Sequence, residues 1–434
     1  MGRSMGYARS VGNSGETDMN STSPKSKTFR VGVAAAMLLA LTSVVVLINA
    51  HAENAISYYP ADSSEQGKWT GRLERVDAHL VILTVRGTAS ERGEAHGRLL
   101  GAEVAILVAS VRKNLSRDGA PNYKKCVDGA RTMAAFVDPD VVTELKACAA
   151  AAKVDADELM LAQLFGDVNR ANASSCSAFA AFGEATTGGK LLVGRNFDYA
   201  GNGLEGGVPL ILQEIPTGEG AGHSFVTLGY AGILNGWTAM NTDGLCASNN
   251  TLYGGKDSLE GMSTCFMLRH IVEYASTVEQ GVELIQKSKR ACTTGMMVAG
   301  KNAAGAWDAR FVEYDSKNVA VVEPVHGIVQ ATNRRQKLVF GDEKPDSLTP
   351  MTCARYETMK KHLDEWKGTL SFEAKERNPT ADKHVYMGIN LHSALLDPAG
   401  QRIRAAFATG DGAPAGEKVF RDFDVLPASV MVHK

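Results

Sequence analysis

Ala173-Ser174-Ser175-Cys176-Ser177-Ala178-Phe179, followed after one turn by Gly194-Arg195-Asn196-Phe197-Asp198, decides how this chain is read. Cys176 opens an apolar strand pattern over 177–184, and Thr186-Thr187-Gly188-Gly189 supplies a hairpin turn. Residues 190–195 form the next strand, with Arg195 and Asp198 at its end. An enzyme whose chain is cut just before its nucleophile needs this layout. One residue then supplies both the attacking thiol and the α-amine that takes its proton.

A free thiol is only slightly ionised near neutrality and needs a base. An α-amine titrates near ~7.7–8, against ~10.4 for a lysine, so the amine of a newly exposed Cys176 suits that task. It exists only once the Ser175–Cys176 bond is broken. Attack of the Cys176 thiol on the Ser175 carbonyl would give a thioester that water releases. Asp198 is the candidate acceptor that orients the amine, and Arg195 the candidate to support the thiolate or hold a substrate carbonyl or carboxylate. Donors for a tetrahedral oxyanion are sought in Asn249-Asn250-Thr251 and Ala331-Thr332-Asn333, each at a strand end. Each element alone is weak. A lone internal cysteine is usually core, Arg and Asp three apart usually pair on a surface, and Asn-Asn-Thr is usually a turn or a glycosylation acceptor. Their occurrence together and in order carries the reading.

The 434 residues give room for two or three ordinary domains or one large one, and 44% hydrophobic with 22% charged residues is an ordinary globular composition. A net charge of −2 provides no basic field, so no nucleic-acid partner is expected. Residues 1–30 read as a disordered leader. Residues 31–50 carry no charge and run into Ala50-His51-Ala52, which predicts a signal peptide cut after Ala52, or an uncleaved membrane anchor. Either way the remainder is expected outside the cytosol: secreted, periplasmic or lumenal. Setting Cys176 aside leaves six cysteines, which an oxidising compartment could pair, with Cys126–Cys148 the first candidate bridge and buried free thiols the alternative. No metal-ligand spacing is present, so neither a metal nor a cofactor is expected.

The segment before Cys176 reads as strand over 69–86, then helices over 91–113, 123–136, 141–152 and 156–170. After it come strands at 209–215, 224–230 and 245–248. Helices follow at 262–275 and 278–287, the second opened by a Thr277/Gln280 capping box. Strands at 307–314, 319–323 and 328–331, a helix at 354–366, and strands at 385–396 and 403–408 complete the pattern. The fold class is α+β, a layered sandwich.

The order of these motifs resembles the acyl-coenzyme A:6-aminopenicillanic acid acyltransferase-like (isopenicillin N acyltransferase-like) family of self-cleaving cysteine Ntn hydrolases. The resemblance runs from about Arg86 to near the C-terminus. Residues 86–100 are like its opening strand-to-helix segment, Cys176-Ser177-Ala178-Phe179 like its nucleophile segment, and Gly194–Asp198 like its Arg/Asp segment. Met240-Asn241-Thr242-Asp243-Gly244-Leu245 and Asn250-Thr251-Leu252 match the stretch carrying an oxyanion asparagine, placed at Asn250. Thr332-Asn333 matches a Thr-Asn pair that precedes His in many members, whereas Arg334 follows here. Ala354-Arg355-Tyr356-Glu357 resembles a helix start whose arginine lies near the pocket. The resemblance implies a four-layer αββα Ntn-hydrolase sandwich and autoproteolysis into a helical small chain (53–175) and a large chain (176–434) that stay associated. It also implies acyl transfer or hydrolysis of a small-molecule N-acyl amide or peptide.

Two other readings remain open at this point: an unprocessed binding module of the same fold, and a papain-like hydrolase using His223, His270 or His326.

Overall fold

Apolar side chains on consecutive residues, rather than alternate ones, mark strands buried on both faces. The computed structural model describes residues 55–60, 68–117, 119–169, 175–200, 204, 207–340 and 350–427. The leader and the 31–52 stretch lie outside them. Strands β1 (Ile56–Tyr59), β2 (Gly71–Arg75) and β3 (Val81–Gly87) lead into helices α1 (Ala89–Leu99), α2 (Gly101–Leu115), α3 (Ala120–Ala134), α4 (Pro139–Ala152) and α5 (Ala156–Val168). From β4 (Ser177–Gly183) the chain turns to sheet, through β5 (Gly189–Asp198), β6 (Pro209–Pro216), β7 (Phe225–Tyr230), β8 (Thr238–Asn241) and β9 (Cys246–Thr251). Helices α6 (Thr264–Tyr274) and α7 (Val278–Lys287) precede β10 (Thr294–Lys301), β11 (Trp307–Tyr314), β12 (Val319–Val322) and β13 (Ile328–Ala331). Helix α8 (Pro350–Glu365) and strands β14 (Asn390–Asp397), β15 (Arg402–Phe407) and β16 (Arg421–Asp424) follow.

The strands form two sheets, one of ten in the order β1-β2-β3-β6-β7-β8-β9-β10-β11-β12 and one of six in the order β13-β4-β5-β14-β15-β16. Neighbours are antiparallel except β3 and β6, which run parallel from Val81↔Leu210 to Gly87↔Pro216. Side chains sort by the strand period. Ala178 and Ala180 join Ile211, Met240 and Phe311 between the two sheets, while Phe179 and Ala181 pack outward on Met359 and Leu363 of α8. Leu83, Val85 and Leu212 turn the other way, under helices α1 to α6. The result is the four-layer αββα sandwich.

Helix α1 meets α4 backbone to backbone. A Cβ on Gly93 would lie 2.0 Å from the Glu144 carbonyl oxygen, and one on Gly97 2.4 Å from that of Cys148. This contact turns Cys148 towards α1, whereas Cys126 sits on α3, which packs against α5. Both thiols are buried and free, so the expected Cys126–Cys148 bridge is not formed. The helix expected over 91–113 breaks at Leu100, where α1 and α2 meet. The strand expected over 69–86 forms β2 and β3, which with β1 make one end of the ten-stranded sheet.

A buried ion cluster joins the segments before and after Cys176. Arg92 of α1 bonds Glu144 of α4 at 2.8 Å and Glu214 of β6 at 3.0 Å. Arg269 of α6 bonds the same two carboxylates at 2.8 and 2.9 Å and Glu273 at 3.2 Å. Burial works to raise both carboxyls, but Arg269 and Arg92 hold Glu144 below the usual carboxylate range, while burial prevails at Glu214. Among the described residues no helix is long and apolar enough to cross a membrane.

Candidate active site

Cys176 stands directly before β4, whose first residues pair with the end of β5, Ser177 opposite Asn196 and Ala178 opposite Arg195. Pairing brings the start of one strand to the end of the next, and this fixes the site. The Cys176 thiol is fully buried and donates weakly to the Asp198 carbonyl at 3.9 Å. The Ser175 amide donates to the same carbonyl at 2.8 Å.

Arg355 reaches this point from α8. Its Nη1 donates to the Ser175 carbonyl, lies 3.3 Å from the Cys176 carbonyl and sits 3.5 Å from Asp198 Oδ2. Its Nη2 donates to Asn333 Oδ1 at 3.0 Å. Burial pulls the Arg355 guanidinium down, and the neighbouring Asp198 carboxylate and Cys176 sulfur act against that. Asp198 is itself wholly enclosed. Burial pushes its carboxyl from 3.8 up to about 7, although Arg355, Asn390 and Arg195 favour the ionised form. Its Oδ1 accepts from Asn390 Nδ2 at 2.7 Å, and its Oδ2 has no hydrogen-bond partner.

Residues three apart on a strand point to opposite faces. Arg195 therefore diverges from Asp198, and its guanidinium donates to the backbone carbonyls of Ser177 (3.3 Å), Asn196 and Asn249. These bonds tie the six-stranded sheet to β9 of the other sheet. Asn250 Nδ2 faces the carbonyls of Ala331 and Thr332 at 3.5 and 3.3 Å, while its Oδ1 is unpaired. Asn333 Nδ2 donates to the Thr251 carbonyl at 2.8 Å. Asn249-Asn250-Thr251 is thus buried strand, neither a turn nor an exposed glycosylation site.

The structure gathers Ser175, Cys176, Asp198, Asn333 and Arg355 around the 175–176 peptide, with Arg195 reaching the Ser177 carbonyl beside it, while Asn250 faces the Ala331 and Thr332 carbonyls. Sequence reasoning missed a buried amide and hydroxyl chain behind them. Asn390 holds Asp198, Ser393 Oγ lies 2.9 Å from Asn390 Oδ1 and 2.6 Å from Asn196 Oδ1, and Asn196 Nδ2 donates to Ser177 Oγ at 3.0 Å. Asn390 and Ser393 carry no motif, and Asn196 lies unremarked inside the Arg195/Asp198 segment; polar side chains at 196, 390 and 393 in buried strands were the available signal. The histidines singled out from sequence bond elsewhere: His223 with Ser276, His270 with Asp138, His326 with Glu184. His392 is buried, 2.8 Å from Thr238 Oγ1 and packed on Phe197. Among the described residues no group of His, Cys, Asp and Glu could hold a metal ion.

Two cavities flank Tyr199, which stacks on Phe197 at 5.7 Å, itself stacked on Trp237 at 4.6 Å. One of about 40 Å³ lies towards Asn249, Thr251 and Cys265, under Phe165 and Asp167 of α5. The other, of about 350 Å³, lies towards Asn390 and is lined mainly by carbon.

The sequence profile described as "Acyl-coenzyme A:6-aminopenicillanic acid acyl-transferase" matches residues 185–411, beginning just after the Cys176 strand. Protein dcd1A of Dictyostelium discoideum is 29% identical over 160 residues, 35% of each chain. An uncharacterized protein of Archaeoglobus fulgidus is 27% identical over 118 residues, 27% of this chain and 19% of its own. The chain thus spans about a third or less of the length of these curated relatives. Among solved structures, a Caenorhabditis elegans N-acylethanolamine-hydrolyzing acid amidase ortholog covers 58% of this chain and 100% of its own at 16% identity, TM-score 0.40. Penicillin V acylase from Agrobacterium tumefaciens covers 54% and 83% at 13% identity, TM-score 0.35.

Proposed function

Because the chain belongs to the acyl-coenzyme A:6-aminopenicillanic acid acyl-transferase family, we propose that it is a self-cleaving cysteine Ntn hydrolase that breaks or transfers the acyl group of an N-acyl amide. Activation begins when Cys176 Sγ adds to the Ser175 carbonyl carbon. The oxyanion forms against Arg355, the only side chain seen donating to that carbonyl among the described residues. The peptide C–N bond breaks, the thiol proton passes to the departing α-amine, and water hydrolyses the Ser175 thioester. Ser175 becomes a carboxylate and Cys176 a free N-terminal residue.

In turnover the α-amine takes the Cys176 proton and the thiolate attacks the substrate's acyl carbon. The substrate's C–N bond breaks, and the ammonium returns its proton to the leaving amine. Water or a second amine then resolves the acyl thioester. Asp198 Oδ2 orients the ammonium, and Arg195, immobilised by backbone carbonyls, supplies fixed positive charge beside the thiolate. Asn250, loosely held by its two carbonyls, swings to the oxyanion. Asn333 contributes there chiefly by holding Arg355 at 3.0 Å.

One observation carries the reading: Arg355 grips the carbonyl before Cys176, beside an enclosed Asp198 whose Oδ2 meets only the Arg355 guanidinium at 3.5 Å and makes no close hydrogen bond. Cutting the 175–176 bond would supply one from the new α-amine. The shared sheet and the buried ion cluster support the lasting association of chains 53–175 and 176–434. We place the processed enzyme outside the cytosol, on the strength of the 31–52 stretch, which would be removed or serve as an anchor.

Denaturing electrophoresis with N-terminal sequencing tests this. The active protein should yield two fragments, the larger starting Cys-Ser-Ala-Phe, and Cys176→Ala should stay whole. A catalytically competent sample that is continuous across 175 and 176 would sink the proposal. The papain-like pairing draws no support from His223, His270 and His326, which bond Ser276, Asp138 and Glu184.

A further inference from the structure

Away from Cys176, three side chains stand as a hydroxyl, a base and a carboxylate behind the base. Ser276 Oγ lies 3.0 Å from His223 Nε2, and His223 Nδ1 lies 3.5 Å from Asp243 Oδ2. Nucleophilic catalysis by a hydroxyl needs an imidazole within about 2.6–3.2 Å that a third group orients, and distances are often looser before substrate binds. Such a set is recognised by geometry and roles, because its order along the chain differs between unrelated folds.

The three residues come from separate elements that hydrogen bonds lock together. His223 precedes β7, and its amide donates to the Glu273 carbonyl of α6 at 2.8 Å. Asp243 sits in the turn between β8 and β9, where Thr242 N donates to the Ser224 carbonyl at 3.0 Å. Asn241 Nδ2 donates to the Val272 and Ala275 carbonyls at 2.9 and 2.8 Å, which fastens that turn to the residue before Ser276. The imidazole and the carboxylate are 29% and 37% exposed, so a reactant reaches them from solvent.

Two amide donors converge beside the hydroxyl. Ser276 N and Thr277 N both donate to Gln280 Oε1, at 2.8 and 3.1 Å. A carboxamide oxygen held between two backbone N–H groups sits where an oxyanion would be stabilised. Gln280 is itself exposed, so nothing encloses the side chain that an oxyanion would displace.

Independently of the chemistry at Cys176, we propose that Ser276, His223 and Asp243 form a second, solvent-exposed acyl-transfer site that hydrolyses small, reactive carboxylic esters. Ser276 Oγ adds to the ester carbonyl carbon as its proton passes to His223 Nε2. The ester C–O bond breaks, and the leaving alcohol takes that proton. Water then adds to the acyl-serine with His223 as base. The bond from Ser276 Oγ to the acyl carbon breaks, the proton returns to Ser276, and a carboxylic acid departs. Asp243 is a positioning residue that keeps the ring proton on Nδ1, so that Nε2 faces the hydroxyl. The open setting suits unhindered acyl groups, and amide donors already engaged by Gln280 limit the site to good leaving groups.

The test uses the full chain carrying Cys176→Ala, which removes the other nucleophile. With p-nitrophenyl acetate this protein should release nitrophenol, and mass spectrometry should find the acetyl group on Ser276. Adding Ser276→Ala or His223→Ala should lower the rate about 10²-fold or more, with urea unfolding unchanged. Asp243→Asn should lower kcat and leave KM as it was, a split that a merely structural role would not produce, and Asp243→Glu should recover part of the loss. Gln280→Ala frees the two amides and should raise the rate about tenfold. A fluorophosphonate probe should label Ser276 in the parent and fail to label the His223→Ala protein. Acetyl found on lysines alone, or a rate that survives Ser276→Ala, overturns the proposal. Labelling of Ser276 that persists without His223 overturns it as well.

Discussion

Asp198 offers a quantitative check on the uncut site. Its carboxyl is raised from 3.8 to about 7 because burial outweighs Arg355, Asn390, the Met387 backbone and Arg195. A carboxyl raised in the folded state contributes stability that is fully present below its unfolded value and disappears as the pH climbs through the folded value. The gap from 3.8 to about 7 is worth about 4 kcal/mol, at ~1.4 kcal/mol per tenfold in proton affinity. Of this, about 3 kcal/mol falls between about pH 5 and about pH 8. The perturbation is Asp198→Asn in a Cys176→Ala background, which keeps the chain intact while an isosteric neutral group occupies the carboxyl's place. Urea unfolding of both proteins across that range gives the difference. The Asn protein should gain on its parent steadily as pH rises, and other titrating groups cancel in the comparison. Curves that run parallel across the range would refute the enclosed-carboxyl argument. In the cleaved enzyme proposed above the α-ammonium would stabilise the ionised form, so the advantage of Asn should shrink or reverse.

Replacing Arg355 with Met removes the donor on the Ser175 carbonyl, and self-cleavage should slow by about 10²–10³-fold; an unchanged precursor half-life would rule it out. Arg269→Met leaves Glu144 and Glu214 sharing Arg92 alone, a broken buried pair costing about 3–5 kcal/mol, measurable by urea unfolding. In processed protein the same change should weaken co-elution of the two chains, and undiminished co-elution would contradict the bridging role. Asn390→Leu severs the 2.7 Å bond to Asp198, a bond to a charged acceptor worth about 1.5–3 kcal/mol. It should shift the pH midpoint of turnover more than Ser393→Ala does, and equal shifts would argue against a direct hold. Replacing His223, His270 or His326 should leave turnover largely intact, and abolition in a folded protein would revive the papain-like reading.

The local signals in the chain were faithful where chemistry and geometry are close in sequence. Thr186-Thr187-Gly188-Gly189 set the hairpin, and that hairpin alone brings the end of β5 to Cys176. The Thr277/Gln280 capping box is formed as its spacing predicts. What stayed hidden depends on distance along the chain. Strand β10 carries Gly295 and Gly300 among methionines, a weak strand pattern; each glycine fits a close neighbour, Phe311 and Leu245. The break at Leu100 follows from α1 lying against α4, which no periodicity within 91–113 reveals. Arg195 and Asp198 look like partners in sequence, yet the strand period separates them. Asn390 meets Asp198 across 192 residues, and nothing in its neighbours foretells that.

The parallel seam between β3 and β6 also dictates how such a protein can be made. A chain begun at Cys176 would present β6 as a bare edge inside what should be a continuous sheet, inviting adhesion to other chains. It would also strand Glu214 and Arg269 without their upstream partners. The cut proposed at 175–176 would therefore have to come after assembly, with the polypeptide folded as one body before it is divided. A laboratory that supplies residues 176–434 by themselves should expect insoluble material, and should supply the full chain instead.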